Sequence, residues 1–481
     1  MTAQLTNDVS GMTFDMLING QLVSGSRTLD VIDPATAQVF ASCACASEAQ
    51  LEQAIAAAKA AFPGWAATPI EQRKAIMLQM ADAVDAEADT LARLLTCEQG
   101  KPLAEALGEV GGVSYFLRHY TQYDLPVEVI EDSESRHIAI HRAPLGVVAA
   151  IVPWNFPLVT AISKICSAMI TGNTMVLKPA ATTPVATLHL GRIVSAIIPA
   201  GVLNIVADQN DLGGILSSHP DISKIAFTGS TATGSKVMAS ASATLKRMTL
   251  ELGGNDSGIV LDDCDPAEVS AKLFASAFGN NGQICIALKR LYVHETQYEA
   301  VCANLAELAN NAVVGSGLNA DTQLGPVQNR MQYDKLKALI EQTRTQGTII
   351  AGGDCPDLPG YFINPTIVRD IADDAALVTD EQFGPVLPVM SYSNLDEVIA
   401  RANNTCFGLG NSVWSADSAR AAAVAMQLDS GSVWINKHGD IGPDTPFSGA
   451  KMSGVGVEMA EHGLMEFTQM KVINLGKNIA V

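Results

Sequence analysis

Between residues 147 and 261 the chain repeats one rhythm: a short, almost wholly apolar run, a turn, a helical segment, then another apolar run. The runs lie at 147–152, 174–177, 203–206, 224–227 and 258–261, and helical spacing fills 158–170, 187–197 and 212–218 between the first four. A strand that is apolar on both faces has to be covered on both faces, and helical crossovers join strands that run parallel. The rhythm therefore specifies an α/β fold with a parallel sheet between helix layers. Such sheets bind ligands outside the carboxyl ends of their strands. Three loops should then share one edge: Pro153-Trp154-Asn155, Lys178-Pro179-Ala180 and Thr228-Gly229-Ser230.

Around this centre the remaining chain falls into place. Residues 16–45 read as strand-rich, with turn signals at Asn19-Gly20 and Asp33-Pro34. Helical spacing follows at 49–62 and again over 71–95. Val127, Val129, Ile138 and Ile140 alternate with polar neighbours, which predicts a two-stranded ribbon over 122–144. An isolated hairpin is marginal in water, so the ribbon should pack on another element, a second subunit being one candidate. A final strand at 468–475 could pair with it. After Asp262, strand and helix signals at 290–294, 298–312, 334–342, 348–351, 388–392, 395–403 and 432–435 indicate a second α/β unit.

Charge and cysteines narrow the function. Fifty acidic against thirty basic residues leave a net charge of −20, which repels phosphate backbones and anionic membrane surfaces. Local amides can still hold an anionic cofactor against that field. Nine cysteines in irregular spacing, with no CxxC pair, suggest reduced thiols in a cytoplasmic compartment and no metal site. Residues 1–10 lack a basic start followed by an apolar block, so no secretion signal is expected. Residues 143–163 carry no charge, a length that raises the question of a membrane span. Pro144, Pro153 and Pro157 interrupt the segment, so it reads as a buried strand running into a loop.

Four features carry chemistry. Cys285 sits in Gly279-Asn280-Asn281-Gly282-Gln283-Ile284-Cys285, a turn just after an amphipathic segment at 267–278, where a substrate can reach it. Cysteine is often simply buried; its neighbours in function change that reading. Glu251, ahead of Gly253-Gly254, could serve as a general base for water, and the Asn155 amide could donate to an oxyanion. Phe227-Thr228-Gly229-Ser230-Thr231-Ala232-Thr233-Gly234 ends a strand and opens a helix, a place for a pyrophosphate. Its spacing matches neither GxGxxG nor a P-loop, and a plain strand–helix turn would look similar. Together these residues support thiolate attack on a carbonyl, hydride transfer from the tetrahedral adduct to a nicotinamide, and hydrolysis of the resulting thioester.

At this point the chain resembles the NAD(P)-dependent aldehyde dehydrogenases, from about residue 17 to residue 475. The motifs that carry the resemblance are Pro153-Trp154-Asn155-Phe156-Pro157, Lys178-Pro179, Phe227-Thr228-Gly229-Ser230, Glu251-Leu252-Gly253-Gly254, Gly282-Gln283-Ile284-Cys285, Glu381-Gln382-Phe383-Gly384-Pro385 and Pro446-Phe447-Ser448-Gly449. The resemblance implies a Rossmann-like dinucleotide-binding domain (1–121 and 145–253), a second α/β catalytic domain bearing the cysteine (254–451), and a small β oligomerisation ribbon (122–144 and 466–481). It implies Cys285 as nucleophile, Glu251 as base, Asn155 as oxyanion donor and Lys164 near a proton relay. NAD or NADP would lie against Ile151, Pro153, Trp154, Lys178, Ala181, Gly229, Ser230, Gly234, Leu252, Glu381 and Phe383. Glu381 is expected at the nicotinamide-side ribose, Phe383 near the nicotinamide and Lys178 at the adenine-side ribose. The product would be a carboxylate, and the assembly a homodimer or homotetramer.

Two departures from the family pattern bear on specificity. Members that prefer NAD often carry a glutamate three residues after the lysine; here Ala181 stands there, so a 2′-phosphate is not repelled. Members acting on succinic semialdehyde bind its carboxylate with arginines, where this chain has Ser163 and Gly279. A channel lined by Phe156, Val159, Ile284, Ile286, Ile441 and Phe447 instead suggests an aromatic or medium-chain aliphatic aldehyde. Lys437, His438 and Asp440 read as solvated loop residues near its mouth. The rival readings are a succinic-semialdehyde type, a coenzyme A-acylating enzyme, for which Glu251 would be superfluous, and an inactive structural oligomer of the same fold.

Overall fold

A computed structural model describes residues 11–477. The expectation of no secretion signal rests on residues 1–10, and the proposed ribbon and dinucleotide-binding segments extend into 478–481 and 1–10; all these positions lie outside the described residues. The predicted α/β layering is present. At its centre is an eight-stranded sheet in which Leu203–Ile205, Thr174–Lys178, Val147–Ile151, Ile222–Thr228 and Arg247–Glu251 run parallel, side by side. The middle strand Val147–Ile151 is apolar throughout and buried along nearly its whole length, as a strand covered on both faces must be, whereas Arg247–Glu251 is exposed at its Arg247 end. A hairpin continues the sheet at one side. There Asn19 and Gly20 take φ of 52° and 74° between Met16–Ile18 and Gln21–Val23, the left-handed pair that a two-residue turn requires.

A second sheet of seven strands contains Asp256–Val260, Leu288–His294, Val386–Tyr392 and Gly410–Trp414 as parallel neighbours. This corrects one expectation. The apolar run at 258–261 belongs to this second sheet, and Arg247–Glu251 takes its place in the first. The linker between the two sheets is therefore the short Leu252-Gly253-Gly254-Asn255 segment. The charge-free stretch becomes the strand Val147–Ile151, a loop, and the helix Pro157–Ile170. No helix among the described residues is long and apolar enough to cross a membrane.

Two further differences have local causes. The helical spacing over 71–95 is two helices, Ile70–Ala86 and Ala88–Gln99, because Glu87 leaves helical geometry at φ −111°, ψ 15°. The helix Leu103–Tyr120 escapes the reading above because Gly108, Gly111 and Gly112 dilute its apolar stripe. Residues Glu128–Asp132, Arg136–Pro144 and Thr468–Gly476 form a three-stranded antiparallel sheet, with the C-terminal strand paired along the whole of Arg136–Pro144. All nine cysteines are free.

Candidate active site

Because their strands run parallel, the three loops leave the sheet at the one edge expected, and the Cys285 loop meets the first of them through Asn155. The helix Pro266–Phe278 ends at Gly279, and the chain then reverses through Asn280 (φ 45°), Asn281 (φ 58°) and Gly282 (φ 71°). Three successive left-handed residues are tolerable only because asparagine and glycine adopt that region at low cost. A Cβ on Gly282 would come within 2.4 Å of the Gly384 carbonyl oxygen. The reversal is pinned from outside: the Asn280 amide N–H donates to Glu105 Oε2 (3.2 Å), and the Gln328 amide N–H donates to Gln283 Oε1 (2.8 Å). Cys285 follows, half-buried.

Asn155 is fixed against that loop. Its Nδ2 donates to the Gln283 carbonyl at 2.8 Å, and its own carbonyl accepts from Lys101 Nζ (3.0 Å) and Asn280 Nδ2 (3.1 Å). Lys101 is itself paired with buried Glu109 at 2.5 Å. The other oxygen of Glu109 accepts from the Leu158 and Val159 amides, at 2.9 and 3.2 Å. A buried carboxylate thus caps the Pro157–Ile170 helix, which supplies no capping side chain of its own.

Glu251 closes its strand directly beside Thr228. It is buried, and neither carboxylate oxygen has a hydrogen-bond partner among the described residues. Burial, reinforced by the nearby Glu458 charge and only partly offset by Lys164, holds its carboxyl well above the usual range. Lys164 is ion-paired with Glu458 and donates to Thr228 Oγ1 at 2.8 Å. Burial likewise pushes the Cys285 thiol up to about 12, with Lys289 opposing the shift.

The turn that follows Thr228 forms a cradle suited to a dinucleotide. The helix Thr231–Ala241 starts at Ser230, whose hydroxyl accepts from the Thr233 amide. Ser230, Ala232 and Thr233 are exposed, so this first turn is accessible to an anion, as such a site needs. Gly234 lets this helix sit on Leu252, since a Cβ there would lie 2.4 Å from Leu252 Cδ2. Gly229 donates to the Glu251 carbonyl. Lys178 is buried and paired with Asp208 at 2.7 Å, so its charge is already balanced. Ala181 is half-buried in the loop that follows. Glu381 Oε1 accepts from the Gly254 amide at 3.0 Å, and burial raises its carboxyl. The Trp154 and Phe383 rings meet edge to face, 5.3 Å between centroids. Ile151 and Pro153 are half-buried beside them.

The six side chains expected to line the channel do not form one group. Ile286 and Phe447 pack with Leu409 and Trp434, and Ile284 and Cys285 pack against that cluster. Val159 is half-buried and packs against the main core, near Gly112. Phe156 lies under the Lys101 ammonium, 3.7 Å from its ring centre, and Ile441 is 38 % exposed on its loop. Lys437 and Asp440 are exposed and paired with each other at 2.5 Å. His438 differs from the solvated residue expected. Its side chain is buried, with Nδ1 against Ser412 Oγ (2.9 Å) and Nε2 against the Ile286 carbonyl (2.8 Å), and burial lowers it to about 3. Glu458 and Lys289, which complete the charge pattern of the site, gave no local signal in the sequence. The bond from Lys164 to Glu458 spans 294 positions.

The model of the aldehyde dehydrogenase family matches residues 22–473. The chain belongs to the aldehyde dehydrogenase family. It is 38 % identical over 494 residues to the phenylacetaldehyde dehydrogenase of Pseudomonas fluorescens, covering 97 % of this chain and 98 % of that one. An aldehyde dehydrogenase from Bacillus cereus in complex with NAD+ superimposes with a TM-score of 0.95 at 34 % identity, covering 99 % of this chain and 98 % of that one. An Escherichia coli NADP-dependent enzyme does so with a TM-score of 0.94 at 33 % identity, covering 98 % and 99 %. The chain is thus an aldehyde dehydrogenase with that family's fold.

Proposed function

We propose that this aldehyde dehydrogenase oxidises an apolar aldehyde, aromatic or medium-chain aliphatic, to its carboxylate through a thioester on Cys285. The observation that carries the reading is the bond from Asn155 Nδ2 to the nucleophile loop two residues before Cys285. It anchors the Asn155 side chain on the loop that carries the sulfur. The cofactor is NAD or NADP; when bound, the nicotinamide supplies the hydride acceptor.

The chain's own residues then divide the work. Cys285 adds as thiolate to the carbonyl carbon, and the Asn155 amide together with the Cys285 N–H stabilises the developing oxyanion. Loss of hydride from the tetrahedral carbon leaves a thioester. Glu251, once ionised, takes a proton from water, which attacks the thioester and releases the carboxylate and the thiolate. Lys164 and Glu458 behind Thr228 form a path for that proton to leave. The exposed first turn of Thr231–Ala241 receives the pyrophosphate, with Glu381, Phe383 and Trp154 at the nicotinamide end.

The apolar substrate rests on the Ile284, Ile286 and Phe447 cluster around Cys285, and on Lys437 being occupied by Asp440. The likeness to phenylacetaldehyde dehydrogenase supports the aromatic choice. A panel of aldehydes assayed with each nicotinamide tests it. Phenylacetaldehyde or a medium-chain aldehyde should exceed succinic semialdehyde in kcat/KM by about 100-fold or more, because a buried carboxylate without a cation is heavily penalised. Equal values would reject an apolar channel.

Ala181 sets the second expectation. Ala181→Glu should lower the NADP-to-NAD ratio of kcat/KM about tenfold or more, through repulsion of a 2′-phosphate. An unchanged ratio would place cofactor choice elsewhere. As for assembly, Val129, Ile130, Val472 and Leu475 are each more than half exposed on the three-stranded sheet. An apolar patch of that kind marks an interface, and we assign it to a second copy of the chain in a homodimer or homotetramer.

A further inference from the structure

Lys289 lies in the strand Leu288–His294, immediately after the nucleophile loop, and its side chain is 2 % exposed. Its ammonium donates to the carbonyl oxygens of Ile284 (2.8 Å) and Cys285 (2.5 Å). Glu381 Oε1 stands 3.8 Å away, an ion pair too long to be a hydrogen bond. The Phe383 ring lies 6.0 Å from the same nitrogen. Two carbonyls alone are a poor setting for a buried ammonium, whose desolvation is compensated only by close opposite charge. A neutral donor would hold the same carbonyls at less expense. The positive charge therefore needs a reason, and the groups around Cys285 supply one.

Three acids act on the thiol, each from a different element. Glu251 comes from the end of Arg247–Glu251, Asp256 from the start of Asp256–Val260, and Glu381 from the loop before Val386–Tyr392. All three disfavour a thiolate, and of the charged groups acting on the sulfur only Lys289 favours one. The same ammonium also opposes the burial that raises Asp256 and Glu381. His438, next to Asp256 at 3.8 Å, is neutral and adds no second cation.

We propose that Lys289 is a positioning residue for the nucleophile: it ties the Ile284 and Cys285 carbonyls to Glu381 and supplies the positive charge that admits a thiolate among three carboxyl groups. This rests on Cys285 being the nucleophile. The ammonium does not touch the reacting atoms; it acts through the loop backbone and through its field.

The test is the pH dependence of iodoacetamide alkylation at Cys285 in the full-length protein, read by peptide mass spectrometry so that exposed Cys355 and Cys406 are scored separately. The thiolate displaces iodide, and the thiol proton leaves to solvent. Lys289→Gln keeps a hydrogen-bond donor without charge, Lys289→Met keeps neither, and Lys289→Arg keeps the charge. The Gln and Met variants should shift the rising limb of the profile to higher pH by about one unit or more, roughly tenfold slower at a given pH. The Arg variant should lie within a few tenths of a unit of the wild type.

A Gln profile that overlays the wild type, or an Arg profile shifted as far as Met, would overturn the assignment, because packing or hydrogen bonding would then account for the residue. Glu381→Gln provides a readout if the lysine variants do not fold. Removing one facing carboxylate should shift the limb to lower pH, and no shift would overturn the electrostatic role. Alkylation needs neither aldehyde nor cofactor. Turnover retained in Cys285→Ala would therefore refute the nucleophile separately from this result.

Discussion

Cys285→Ala is expected to lower aldehyde-dependent NAD(P)H formation by about 10⁴-fold or more, the scale on which removing a covalent nucleophile acts. The physical reason is the hybridisation of the carbon. An aldehyde carbon yields hydride readily only once it is tetrahedral, and the sulfur makes it so. The substitution leaves the fold intact, because Cys285 is half-buried and packs at the margin of the Ile286, Leu409, Trp434 and Phe447 cluster. Circular dichroism and dinucleotide binding should match the wild type. Turnover within about tenfold of the wild type would reject covalent catalysis at this position.

Glu251→Gln should separate the two halves of the reaction. The first turnover should still release one NAD(P)H per active site in a rapid burst, while the steady rate falls about 10²–10⁴-fold, the usual contribution of a general base. The pH dependence has a definite sign. Because burial and Glu458 hold the Glu251 carboxyl above its ordinary range, it is protonated where a solvated glutamate would already be ionised. Water activation needs the ionised form, so wild-type deacylation should rise with pH through that raised value. The glutamine variant should lose this rise. Rapid-quench measurement of the burst, repeated across pH, checks both points. Loss of the burst along with the steady rate would show that Glu251 is needed before the thioester forms.

The layering of the molecule was readable because period and apolarity report burial directly. Runs such as 174–177 and 203–206, short and set between helical segments, read as strands covered twice. What they do not carry is an address. The run at 258–261 looks the same whether it enters the first sheet or the second, and only the pairing of Asp256–Val260 with Leu288–His294 and Gly410–Trp414 decides. Cys285, Glu251 and Asn155 were singled out as candidates through motifs and the family resemblance, and Asn155 bonds to the loop that carries Cys285. Their supporting charges were not. Glu458 reaches Lys164 from the far end of the chain, and Lys289 looks like an ordinary lysine in a strand. His438 shows the same limit in reverse, since nothing in a glycine-rich loop announces that its ring turns inward to Ser412 and Ile286.

The linker from Glu251 to Asp256 has a consequence for how the enzyme tolerates change. Glu251 terminates one sheet, and Asp256 begins the other, with Gly253 and Gly254 between them. A Cβ on Gly254 would stand 2.5 Å from the Cys285 carbonyl, and one on Gly253 would stand 2.5 Å from Glu381 Oε2. The two halves of the molecule are thus clamped beside Cys285 and Glu381, the proposed reaction site, with no slack to absorb a shift. Since a misplacement of about 1 Å can reduce rate about 100-fold, distant repacking that tilts either sheet should register first as lost turnover, well before any loss of folded protein.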